Sequence, residues 1–131
     1  MGQETLVEDQ IADATALIQK LDSASLSPSS AVWYFYDDAN EWRLLLAGPA
    51  FDALLPKQEP IAYRQLAEVM SQLSLASLTL SDVKLLSTQS PLVKALRVLL
   101  RTAATGIARA HFSNTTLNGI FIKEMIILRS A

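Results

Sequence analysis

The last quarter of the chain decides the fold, and Gly106–Ala131 reads GIARAHFSNTTLNGIFIKEMIILRSA. Two stretches rich in β-branched and aromatic residues flank polar residues that favour turns, which predicts a β-hairpin over residues 106–129. We place its turn in the polar residues 113–116, ahead of Asn118-Gly119. The strand over residues 120–129 is apolar on both alternating faces, so each face needs a cover.

One face of this strand carries Phe121, Met125 and Ile127. A chain of 131 residues has a limited interior with which to cover both sides of such a strand. Contiguous apolar surface that is left uncovered usually marks an interaction site. We therefore expect these three residues to form a dimer interface, and the protein to be a homo-oligomer, most simply a homodimer, that associates through its sheet.

The remainder of the chain predicts a second hairpin and three helices. Aromatic and β-branched residues followed by a turn cluster and a return strand predict a hairpin over residues 31–47. Apolar residues at three- and four-residue steps predict helices over residues 5–22, 61–74 and 91–104. Ser90 before Pro91 is a favoured helix start.

Residues 75–87 leave two interpretations open. Alternation of apolar and polar residues indicates a further short strand near residues 78–86, whereas a helical turn that begins at Ser81 is the alternative. The order of elements gives the fold class α+β, with one antiparallel sheet of two hairpins and the helices packed mainly on one face. We expect residues 1–131 to form a single domain.

Composition excludes several chemistries. The absence of cysteine excludes disulfides and thiolate metal sites, and the four isolated glycines exclude a glycine-rich phosphate loop. A single histidine, His111, excludes a two-histidine zinc site within one chain. We therefore predict no catalytic residues, no metal ligands and no cofactor, while enzymatic activity stays an open question. Without a signal peptide or an apolar run of about 18 residues, we expect a cytoplasmic protein that avoids membranes.

Charge is unevenly distributed along the chain. Residues 1–83 hold twelve acidic and four basic side chains, whereas residues 84–131 hold seven basic side chains and one acidic side chain. The two halves can simply attract each other across the fold, or the basic half can bind anions. The candidate anion-binding residues are Lys94, Arg97, Arg101, Arg109 and Lys123. The net charge of −2 argues against nucleic acid as the partner.

The pattern is most typical of a small, soluble, non-catalytic binding or interaction domain. The first alternative is a small-molecule-binding protein or small enzyme with a pocket between sheet and helices. Its polar groups would be Tyr34, Tyr36, Arg43 and His111. The second alternative is a nucleic-acid-associated protein that uses the basic C-terminal half. A ligand-sized cavity with convergent polar groups favours the first alternative, and a continuous basic surface favours the second.

Overall fold

Five strands form one mixed sheet in the computed structural model, which describes residues 8–131. The strands are β1 (Ser30–Tyr36), β2 (Glu41–Ala47), β3 (Val83–Leu86), β4 (Ala110–Leu117) and β5 (Ile120–Ser130). Their order across the sheet is β3-β2-β1-β5-β4, and β3 runs parallel to β2 while every other pair is antiparallel. The α+β class, both hairpins and the strand within residues 78–86 are confirmed.

Four helices accompany the sheet. They are α1 (Glu8–Ser23), α2 (Pro49–Asp52), α3 (Glu59–Met70) and α4 (Pro91–Leu99), and a 3₁₀ turn, Leu80–Asp82, leads into β3. Residues 5–7 of the first predicted helix lie outside the described residues. The helix that we predicted over residues 61–74 begins at Glu59, because Pro60 occupies its first turn, where a missing N–H is tolerated.

The turn of the second hairpin lies further along the chain than predicted. β4 continues through residues 113–116, and the connection is the two-residue turn Asn118-Gly119. Both turn residues have positive φ, 48° and 81°, which is the conformation that a two-residue hairpin turn requires and that Asn-Gly adopts readily.

The third helix is shorter than the range that its apolar pattern predicts. We predicted residues 91–104, whereas α4 ends at Leu99 and Leu100 is extended, with φ −149° and ψ 139°. The extended backbone lets the Thr102 N–H donate to the carbonyl of Ser130 at 2.6 Å. The segment after Leu99, which helical periodicity assigned to the helix, therefore bonds to the end of β5.

Two cores form on opposite sides of the sheet. The α1 face, covered by α1 and α3, buries Trp33, Phe35 and Leu44. The α4 face buries Val32, Leu45 and Ile127, together with Leu96 of α4. Two of the three predicted helices thus share one face, and the third provides the cover that the second face needs.

This arrangement corrects the dimer interface that we predicted. Met125 and Ile127 are completely buried on the α4 face, whereas Phe121 is 59% exposed. Strict alternation also breaks within β5, because Ile122 and Met125 belong to the same core cluster, opposite Asn114 with its φ of 48°. The three residues do not form one exposed row, because the chain itself buries Met125 and Ile127 and leaves only Phe121 of the three exposed.

A buried ion pair joins distant parts of the chain. Arg129 is completely buried, and its Nη1 and Nη2 atoms donate to the two carboxylate oxygens of Asp22 at 2.8 and 2.9 Å. The same guanidinium donates to the carbonyls of Pro28 and Gly106 at 3.1 and 2.9 Å. The end of α1, the approach to β1, the approach to β4 and the end of β5 therefore meet at one side chain.

This ion pair predicts acid sensitivity. The bonds from Arg129 lower the pKa of Asp22 below its ordinary value near 4, against the opposing effect of burial, and Ser27 adds a further hydrogen bond. A lowered folded-state pKa stabilises the protein above the unfolded pKa, and this stability is lost as the pH falls through the folded pKa. We expect the free energy of unfolding to decline below about pH 4. Asp22→Asn should be less stable at neutral pH and show a smaller decline; equal slopes in denaturant titrations would contradict the assignment.

Leu96 tests the second core. Leu96 lies on the side of α4 that faces the sheet and is completely buried, whereas Lys94 on the same helix is exposed. Leu96→Ala should lower the free energy of unfolding by about 2–5 kcal/mol, because it removes methyl groups from a packed site and leaves a cavity. Lys94→Ala is the matched control and should change it by less than about 0.5 kcal/mol. Chemical denaturation of both variants measures the difference, and equal midpoints would mean that α4 does not pack as described.

Candidate functional site

Part of the α4 face extends beyond the cover that α4 provides, and it carries two tyrosines and two cations. Tyr34 and Tyr36 are half-buried on β1, where they pack against the edge of the second core. Tyr34 is the register partner of Arg43 on β2, and Lys84 on β3 lies beside Leu45. We call Tyr34, Tyr36, Arg43 and Lys84 the tyrosine face. Its residues come from three adjacent strands, so the sheet itself sets their spacing.

Arg43 is held in place by three contacts. Its Nε donates to the Glu41 carboxylate at 2.8 Å, and its Nη2 lies 2.7 Å from the same oxygen. Its Nη1 donates to the carbonyl of Ser81 at 3.0 Å. The guanidinium is therefore oriented before any ligand arrives, while 38% of the side chain stays exposed.

The two tyrosines form a packed aromatic pair. Their ring centroids lie 4.9 Å apart with an angle of 56° between the planes, and Lys84 Nζ lies 5.7 Å from the Tyr36 ring centroid. Burial raises the pKa of both phenols above the ordinary value, and Arg43 opposes the rise in the pKa of Tyr36. Both hydroxyls therefore stay neutral at physiological pH, and each can donate or accept a hydrogen bond.

An open hollow of about 460 Å³ adjoins the tyrosine face. Tyr36, Arg43 and Lys84 line one part of it, and the carboxylates of Asp38 and Glu41 line another. Two cations and two carboxylates thus share the hollow with an aromatic side chain. This lining suits a protruding side chain that brings both apolar surface and hydrogen-bonding groups.

The structure unites three of the four predicted ligand-binding residues and separates the fourth. Tyr34, Tyr36 and Arg43 lie together, whereas His111 pairs with Ile126 of the α1 face and its Nε2 lies 2.7 Å from a Glu124 carboxylate oxygen. His111 therefore cannot act with the tyrosines. Lys84 was missed by sequence reasoning, because only its placement beside β2 brings it near Tyr36.

The predicted anion-binding residues do not form one surface. Lys94 and Arg97 lie on α4, where Arg97 Nε donates to the carbonyl of Ala131 at 3.0 Å, and Arg101 follows the end of that helix. Arg109 binds the Glu8 carboxylate with both terminal nitrogens, and Lys123 lies above Phe35 of the α1 face. The five cations are thus divided between the two sides of the sheet.

A larger hollow, of about 530 Å³, lies between α1 and the segment before β4. Ile11 and Leu128 lie at its base, and the exposed Glu8–Arg109 ion pair lies at its rim. Its other lining comes largely from small side chains, such as Ala12, Ala16 and Ala108. This hollow offers space and apolar contact, with few groups that could recognise a particular ligand.

Two further chemical possibilities can be assessed within residues 8–131. No group of three or more histidine, aspartate or glutamate residues is arranged there to hold a metal ion. In the same part of the chain, no helix has the length and apolar character needed to cross a membrane.

Comparison of the chain with family models, curated proteins and solved structures finds no match.

The aromatic pair can be tested by titration. We expect Tyr34 and Tyr36 to ionise above about pH 10, because burial disfavours the phenolate. Rapid pH jumps followed by near-ultraviolet absorbance measure phenolate formation before the protein unfolds. Tyr34→Phe should remove a step from the alkaline end of the curve, and removal of a step at or below the ordinary pKa would contradict the placement.

Proposed function

We propose that this protein is a non-catalytic interaction domain that binds another protein through the tyrosine face. The observation that carries the proposal is the limited cover that α4 gives, since the helix packs over Val32 and Leu45. Further along β1, Tyr34 and Tyr36 stay half-buried beside Arg43. The partner should offer an apolar side chain that packs on the tyrosines, with a carboxylate close to Arg43 or Lys84.

The residue types of this surface support a protein partner. Tyrosine and arginine are enriched at protein interfaces and dominate their binding energy, because each combines a large contact area with directional hydrogen bonds. Here both types project from paired strands, and Arg43 is already oriented by Glu41 and Ser81. A rigid, preoriented surface loses less conformational entropy on binding.

The alternatives have weaker support. A small-molecule pocket is normally concave, mostly apolar and encloses its ligand, whereas the hollow beside Tyr36 is open and lined by both signs of charge. A nucleic-acid interface needs a continuous basic surface, and the cations of the C-terminal half are divided between two sides of the sheet. Histidine-based catalysis would need His111 at the tyrosine face, whereas His111 and its partner Glu124 lie on the other face of the sheet.

Site-specific cross-linking tests this proposal. A photoreactive phenylalanine derivative is placed at Tyr34 and, as the control, at Val98, which is 80% exposed on α4. In cells that naturally make the protein, position 34 should give one discrete adduct that position 98 does not give. Mass spectrometry identifies the adduct, and the complex is rebuilt from the two purified proteins. No adduct at position 34, or the same adducts at both positions, would contradict the proposal.

The rebuilt complex allows a quantitative check. Arg43→Ala should weaken binding by about tenfold or more, as expected for a central interface arginine. Lys94→Ala, which removes an exposed cation from α4, should leave the dissociation constant unchanged. Equal effects of the two substitutions would indicate general electrostatic attraction and would exclude a specific role for the tyrosine face.

A further inference from the structure

The two edges of the sheet, β3 and β4, differ in the bonds that other parts of the chain make to them. At one edge, β3 has four residues, and the outward N–H of Leu85 donates to the Tyr63 hydroxyl of α3 at 2.9 Å. Asp52 accepts the N–H of Thr88 at 3.0 Å just beyond the strand. Side chains from two helices therefore satisfy backbone donors along this edge, and no further strand can pair there without breaking these bonds.

The other edge is β4, which is twice as long and lies at the end of the sheet order. Within residues 8–131, β5 is the element that packs beside it. Phe112 packs on the same face as Leu117, whose backbone groups pair with Ile120 across the Asn118-Gly119 turn. Residues of one strand that share a face direct their backbone groups to the same side, so the groups of Phe112 point to β5, and those of His111 and Ser113 point away from it. These outward groups form a template for another strand.

The residues of β4 give this edge little protection. Proteins usually guard an exposed edge strand with lysine, other charges, proline or a bulge. The β4 sequence, AHFSNTTL, contains no lysine, arginine, aspartate, glutamate or proline. Asn114, with φ 48°, interrupts the strand and limits regular pairing to the residues on either side of it.

We propose that β4 pairs in antiparallel fashion with β4 of a second copy of this chain, joining two sheets into one. A two-fold axis beside Phe112 places Phe112 against Phe112 of the second copy, and His111 against Ser113 of the second copy. Phe112 is half-buried at the margin of the second core, so the contact extends that core across the axis. No acidic or lysine side chain of β4 opposes its own image, so the two edges meet without like-charge repulsion.

The proposal concerns a different surface from the tyrosine face and does not depend on it. To test the pairing of β4 with β4, the solution mass of the whole protein and the hydrogen exchange of individual amides are measured over about a hundredfold range of protein concentration. The mass should approach that of a dimer as the concentration rises. Exchange of the His111 amide, which points away from β5, should slow in parallel, while the Leu85 amide, bonded to Tyr63, should exchange slowly throughout.

Ser113→Lys is the decisive variant, because Ser113 is exposed and the new charge protects the edge without touching a core. It should raise the dimer dissociation constant by about tenfold or more, with unchanged thermal stability of the monomer. Gln89→Lys adds the same charge in the exposed loop after β3 and should leave the dimer intact. A monomer at every concentration, a dimer whose His111 exchange does not change, or a Ser113→Lys variant that still dimerises would each overturn the proposal. Arg43→Ala should not affect the dimer, so failure here is distinct from failure of partner binding.

Discussion

The buried pair of Arg129 and Asp22 is the constraint on which the other parts of the fold depend. A charged guanidinium can be buried only when its donors are matched, and here a carboxylate and two backbone carbonyls supply the partners. Removal of either charge would leave the other buried without compensation. The pair therefore fixes where α1 ends, how the chain enters β1, and how the segment before β4 approaches β5. A second carboxylate acts similarly, since Asp13 accepts the N–H groups of Ser77 and Leu78 at 2.7 and 2.9 Å and ties α1 to the approach to β3.

The two-layer cover of the sheet explains where a binding surface is available. α1 and α3 bury the α1 face along the central strands, whereas α4, with nine residues, buries part of the opposite face. The uncovered part is not apolar throughout, because tyrosines and paired charges replace the leucines and isoleucines found under the helix. A surface of this composition is stable in water and still suited to binding.

Much of the fold was readable from local pattern, and the errors came from contacts between distant residues. The aromatic run of β1 and the capped start of α4 predicted their elements correctly, because hydrophobic period and end signals act locally. The early end of α4 depends on Thr102 reaching Ser130, and the cover over Met125 depends on α4 crossing the sheet. For the candidate site, Tyr34, Tyr36 and Arg43 lie together as the sequence analysis grouped them, and their role in binding stays a prediction. Lys84 was missed and His111 was wrongly grouped with them, because sheet order and strand register decide both placements.

The internal position of β5, between β1 and β4, has a consequence for how the protein is made. β1 pairs with β2, its neighbour in sequence, and with β5, which a ribosome adds much later. During synthesis, until β5 is made, the β1 edge of the first hairpin stays unpaired and part of its aromatic surface stays uncovered. Arg129, the partner of Asp22, also emerges long after α1. Such long-range pairing slows folding and prolongs the exposure of aggregation-prone intermediates. Nascent chains of this protein should accordingly depend on holding chaperones more than their modest length suggests.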